Sequence, residues 1–116
     1  MTGKHATLLV ALFAFLAGFP AVRAAEPPAF IAYAARIAGD DARTRMVIDF
    51  DRKPQFSLHY TARPTRLIID LDKTAFGFDE KELAAIGLFS DIRYGQMGEG
   101  VSRIVMTAHR PIKAVI

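Results

Sequence analysis

One short pattern occurs three times in this chain, and it restricts the fold to strands that present two different faces. The copies are Thr44-Arg45-Met46-Val47-Ile48-Asp49-Phe50-Asp51, Thr65-Arg66-Leu67-Ile68-Ile69-Asp70-Leu71-Asp72 and Ser102-Arg103-Ile104-Val105-Met106-Thr107-Ala108-His109. Each begins with a hydroxyl residue and Arg, passes through three apolar residues to Asp or Thr, and continues with another apolar residue. Successive side chains of a β-strand point to opposite faces. One face of every copy is therefore wholly apolar: Met46/Ile48/Phe50, Leu67/Ile69/Leu71 and Ile104/Met106/Ala108. The opposite face carries Arg45/Val47/Asp49, Arg66/Ile68/Asp70 and Arg103/Val105/Thr107. A core requires only the first face.

The second face is a candidate binding surface, built on Arg45, Asp49, Arg66, Asp70, Arg103 and Thr107. Arg clamps a carboxylate with two hydrogen bonds, and Asp accepts from hydroxyls. Strands hold such groups rigidly. The same residues also read as a ladder of exposed ion pairs, each worth about 0–1 kcal/mol, that protects a sheet against aggregation. The residues alone leave both readings open.

The chain begins differently. Lys4 and His5 precede a stretch without charge from Ala6 to Val22, followed by the small residues around Ala24. A basic start, a short apolar run and a small-residue cut site are the parts of a secretory signal peptide. The run is slightly short for a membrane-spanning helix, which wants about 20 apolar residues. The expected organisation is a signal peptide over 1–24, a linker over 25–29 and one domain over 30–116. The membrane is then met only through the signal peptide before cleavage.

Cleavage changes the meaning of the charge. The whole chain has 15 Lys and Arg against 12 Asp and Glu; losing Lys4 and Arg23 leaves 13 against 12, a net charge of +1. Charges of both signs alternate along the mature part, which argues against a nucleic-acid partner. There are no cysteines, so an exported domain has no disulfides and depends on burial.

The remaining pattern predicts a mostly β domain. A loosely alternating stretch over 30–38 reads as a strand, with a turn at Gly39-Asp40-Asp41. Phe56, Leu58 and Tyr60 alternate with Ser57, His59 and Thr61 in another strand. Asp79 three residues before Glu82, with Leu83 and Ile86 spaced by three, predicts a helix of about two turns that Gly87 can end. Ile92 and Tyr94 share a strand face, and residues 95–100 read as a flexible hairpin loop. Ile112 is expected to begin a further strand. Phe30, Phe50, Phe56, Phe76, Phe78 and Phe89 are expected in the core, and Tyr94 in the core with its hydroxyl at the rim.

The repeat extends past the strand. Asp51-Arg52-Lys53-Pro54 is matched by His109-Arg110-Pro111. A strand and then another Arg-led strand follow the first break. A duplication would demand a fourth Arg-led strand, so the domain is expected to be truncated at its C-terminus.

Nothing in the sequence announces catalysis, and no enzymatic activity is expected of the chain as given. A zinc hydrolase needs about three His or carboxylate ligands around an open position. His5 leaves with the signal, and His59 and His109 stand alone, without metal-ligand spacing. No Ser lies in a nucleophile-elbow context. Gly95 to Gly100 precedes a strand, so it is not a phosphate cradle.

Residues Arg66-Leu67-Ile68-Ile69-Asp70-Leu71, the following Phe76, and Ile92-Arg93-Tyr94-Gly95-Gln96 leading into Ser102-Arg103-Ile104-Val105 together resemble the AMIN domain. That resemblance covers roughly Ala29 to Ile116. It implies a small two-sheet, sandwich-like β fold with one short helix. It also implies a periplasmic module that binds peptidoglycan and places a parent N-acetylmuramoyl-L-alanine amidase at the division site, for cell-wall turnover and daughter-cell separation. The parent would carry its zinc in a catalytic domain absent here, and division-site or envelope proteins would be further partners. Thr107 departs from the Asp49 and Asp70 of the other copies.

Two other functions compete. The same module occurs in pilus secretins, where it anchors an envelope assembly to the wall. An exported β-domain could instead contact a protein through an open strand edge.

Overall fold

The computed structural model describes residues 28–116. The expected signal peptide over 1–24, and all of the expected linker except Pro28 and Ala29, lie outside the described residues. From Phe30 onward the regular structure is mostly strand: β1 (Phe30–Gly39), β2 (Thr44–Phe50), β3 (Phe56–Thr61), β4 (Arg66–Asp72), β5 (Thr74–Phe76), one 3-10 helix (Glu80–Leu83), β6 (Phe89–Gly98) and β7 (Val101–Ala108). They form a three-stranded sheet in the order β2-β1-β5 and a four-stranded sheet in the order β3-β4-β7-β6. All pairings are antiparallel except β1 with β5.

The repeat sets the layering. Leu67, Ile69 and Leu71 of β4 and Ile104, Met106 and Ala108 of β7 are buried and form the core with Phe89. Burying one such large aliphatic side chain stabilises the fold by about 1.5–3 kcal/mol. Ile37, Met46, Ile48, Phe50 and Phe76 of the other sheet pack against this cluster. The apolar faces thus meet, and the Arg-bearing faces point outward on opposite sides of a sandwich.

The hydroxyl that opens two of the three copies, Thr44 and Ser102, has a use that the pattern does not reveal. Ser102 is fully buried and its Oγ accepts the Thr74 N–H at 2.9 Å. Thr44 Oγ1 accepts the Leu88 N–H at 3.0 Å and donates to the Asp40 carbonyl at 2.7 Å. Both hydroxyls pin a backbone segment remote in sequence. The acids that close two of the copies act similarly: Asp51 accepts from Ile31 N–H and Asp72 from Gln55 N–H.

Several sequence expectations are corrected. The expected two-turn helix is a single 3-10 turn, because Asp79 caps Lys81 N–H and Ala84 is already extended. The expected loop over 95–100 is mostly strand: β6 runs to Gly98, and positive φ at Gly98 and Gly100 lets Glu99 and Gly100 turn the chain. No strand begins at Ile112; Pro111 has no N–H to offer a ladder, and Ile112 and Ala114 instead pack against the core without regular structure. Phe56 is 45% exposed, because β3 is an edge strand and its apolar face is covered from one side only. Strand β5 was invisible to periodicity at three residues.

Candidate functional site

The fold brings four of the six candidate residues together and separates the other two. Strands β4 and β7 are neighbours, so the second and third copies of the pattern lie side by side in opposite directions. Arg66 lies opposite Thr107, Ile68 opposite Val105 and Asp70 opposite Arg103. Strands β3 and β6 extend these rows. The outer face reads Thr61-Arg66-Thr107-Asp91, then His59-Ile68-Val105-Arg93, then Ser57-Asp70-Arg103-Gly95.

The third row is the most ordered electrostatically. Arg103 Nε donates to Asp70 Oδ1 at 2.6 Å, and Nη2 donates to Oδ2 at 3.3 Å. The hydrogen bonds from Arg103 hold the Asp70 carboxyl below its ordinary range, against a smaller opposing effect of burial. The same bonds raise the Arg103 guanidinium above its ordinary value. His59 Nδ1 lies 4.0 Å from Asp70 Oδ2 and adds an ion pair when protonated. Arg has five N–H donors, of which the bonds to Asp70 use two, and the Arg103 side chain stays 31% exposed. Gly95 flanks Arg103 in the register, and a Cβ built there would meet nothing within 4 Å. The guanidinium therefore has an open flank on the β6 side. The middle row supplies an apolar strip, Ile68 and Val105, both half-buried.

Arg45 and Asp49 lie on the other outer face, on β2. Asp49 accepts from Arg36 of β1 at 3.2 Å, while Arg45 joins Arg36, Ile37, Ala38 and Val47 around a depression of about 250 Å³. The proposed single surface of six residues is thus two surfaces. Sequence reasoning could not tell which copies pair.

A larger depression of about 520 Å³ is lined by Asp79, Glu80, Leu83, Asp91 and Tyr94 among others. Tyr94 packs against Phe76 and Phe78 with ring centroids 4.9 and 5.3 Å away. Burial, and then the charges of Glu80 and Asp79, push its hydroxyl above the ordinary phenol range. This matches the expected core position with the hydroxyl at a rim.

Among the described residues, no three His, Cys, Asp or Glu side chains converge in a way that could hold a metal ion. No helix among the described residues is long and apolar enough to cross a membrane.

A family model described as the AMIN domain matches residues 34–115. No curated protein and no solved structure matches the chain.

Proposed function

The chain belongs to the AMIN domain family, and from that premise we propose that it is a periplasmic peptidoglycan-binding module whose wall-facing surface is the outer face of the β3-β4-β7-β6 sheet. The observation that carries the choice of face is the Asp70–Arg103 pair beside Gly95 and above the Ile68/Val105 strip. Peptidoglycan offers free carboxylates, amides, hydroxyls and apolar edges of sugar rings. Arg103, oriented by Asp70, has donors left for a carboxylate. Arg66, which has no ion pair among the described residues, supplies a second cation two rows away. The apolar strip between them suits the non-polar face of a sugar or an alanyl methyl group.

The parent, in this reading, is a zinc-dependent N-acetylmuramoyl-L-alanine amidase acting in cell-wall turnover and daughter-cell separation. What supports it is the placement of one such domain directly after a stretch that reads in sequence as an export signal, which is an argument from analogy. Coding sequence beyond codon 116 tests this part: His and Glu at zinc-ligand spacing support it, and a secretin-like β-rich region overturns it.

The test of the binding face is co-sedimentation of the purified chain with cell-wall sacculi. Arg66→Ala with Arg103→Ala should abolish most of the binding, whereas Arg36→Ala with Arg45→Ala should leave it intact. The reverse result moves the site to the opposite sheet. No sedimentation of the folded wild-type chain removes the peptidoglycan reading.

A further inference from the structure

Peptidoglycan has a sugar half and a peptide half, and the outer face of the β3-β4-β7-β6 sheet suits them unequally. Along these four strands every Phe and Tyr lies on the inner side. Phe56 and Tyr60 are opposite Leu71 and Leu67, and Phe89 and Tyr94 are opposite Ala108 and Ile104, all four partners being core residues. In the three outer rows His59 is the only ring. The flat apolar face of a sugar is matched by a flat aromatic surface. Ile68 and Val105 are β-branched, and their methyl groups make a ridged strip rather than a platform. The N-acetylated sugars of a glycan backbone also carry no charge that two arginines would answer.

The cations are spaced instead for a short acidic peptide. Arg103 lies opposite Asp70, four residues along β4 from Arg66. At about 3.3 Å per residue the two arginines start about 13 Å apart along the strands. An extended peptide covers that distance in about four residues. Arg103 uses Nε and Nη2 on Asp70, so Nη1 has no partner among the described residues. Asp70 repels a second carboxylate on the β4 side, whereas Gly95 leaves the β6 side open, which gives the approach one direction. Arg66 is exposed and has no ion pair among the described residues. Between the two arginines, Ile68 and Val105 offer contact to side chains as small as a methyl group.

We propose that this face recognises the peptide half of peptidoglycan and not its glycan: a short stem with two carboxylates held by Arg103 and Arg66 and alanyl methyl groups on the Ile68/Val105 strip. The proposal rests on the wall-binding reading and narrows it to one half of the polymer. Asp70 is then a positioning residue, acting on the ligand through the Arg103 guanidinium that it holds.

Competition in the sacculus co-sedimentation assay tests the proposal. The probe is the synthetic peptide N-acetyl-L-alanyl-γ-D-glutamyl-L-lysyl-D-alanine. Its diamide, with both carboxylates neutralised, and N-acetylglucosamine oligomers are the matched competitors. The peptide should displace the wild-type chain at a concentration about tenfold or more below that of the diamide, and the sugar oligomers should not displace it. Arg66→Gln, at an exposed position without an ion pair, should lose that preference while keeping the wild-type circular dichroism spectrum and melt. A peptide that fails to displace the chain at millimolar concentration, or does so no better than its diamide, overturns the proposal and leaves the wall-binding face in place. Displacement by the oligomers alone assigns the site to the glycan and overturns it equally, as does an Arg66→Gln chain that retains the full preference. Wild-type chain that never sediments with sacculi removes the wall-binding reading itself, and this proposal with it.

Discussion

Arg103 reaches across from β7 to grip both carboxylate oxygens of Asp70 on β4, in residues that lie directly opposite each other in the strand register. The pair is half-exposed, so solvent screens it and its contribution to stability is modest. Its direction with pH is nevertheless defined. Asp70 titrates below its ordinary value of 3.8 in the folded chain. The unfolded chain therefore binds the proton first as pH falls. The stabilisation is complete above the unfolded value and is lost as pH drops through the folded one. Thermal melts of wild type and Asp70→Asn should differ most near neutral pH and converge in acid below the ordinary carboxylate range. A difference that widens in acid would contradict the assignment.

The apolar layer allows a sharper stability prediction. Ile104 is 1% exposed at the centre of the core. Truncation to Ala removes three carbons and leaves a cavity that the surrounding strands can only partly close. Ile104→Ala should cost about 2–5 kcal/mol, read as a lowered urea midpoint. Val105→Ala, one residue away on the outer face, should cost much less. Equal effects would mean that the alternation does not set the layers.

How far the sequence disclosed this molecule depends on the length over which each signal acts. The apolar/polar alternation of Leu67/Ile69/Leu71 and Ile104/Met106/Ala108 persists over a whole strand, so the buried face was legible. Pairing was not. The copies at β2, β4 and β7 are almost interchangeable in pattern, and only long-range packing places β4 beside β7 and leaves β2 on the other sheet. The site was half legible for the same reason: Arg66, Asp70, Arg103 and Thr107 share a surface, and Arg45 and Asp49 do not. Local signals failed where tertiary contacts overrode them. The Asp79 cap was real, but it starts a 3-10 turn ending at Leu83 and not two helical turns. The first residue of the pattern, read only as a hydroxyl, is a long-range backbone anchor at Thr44 and Ser102.

That anchor gives the third prediction. Ser102 Oγ is the acceptor for the Thr74 N–H in a fully buried position, and it donates in turn toward the Thr74 carbonyl. Ser102→Ala leaves the buried Thr74 N–H without its acceptor. The expected cost is about 1–3 kcal/mol, measured by chemical denaturation. Ser102→Thr retains the hydroxyl but adds a methyl group to a site with no free surface, so it should recover only part of the loss.

Gly87 stands where the chain leaves the segment after the 3-10 helix, with φ +60. A Cβ there would collide with Thr44 Oγ1 and with the Asp40 carbonyl oxygen. Those two atoms are joined by the hydrogen bond that lets Thr44 accept the Leu88 N–H. A side chain at position 87 thus meets a left-handed backbone penalty and also forces apart the contact between the β1–β2 turn and the start of β6. Gly87→Ala should destabilise by about 1–3 kcal/mol. Hydrogen exchange can locate the damage: the Leu88 amide should lose protection at least as much as the core amides of β4 and β7. Gly95→Ala is the matched control, since a Cβ there meets nothing within 4 Å. It should leave stability nearly unchanged while narrowing the open flank of Arg103, so its effect should appear in sacculus binding and not in the melt.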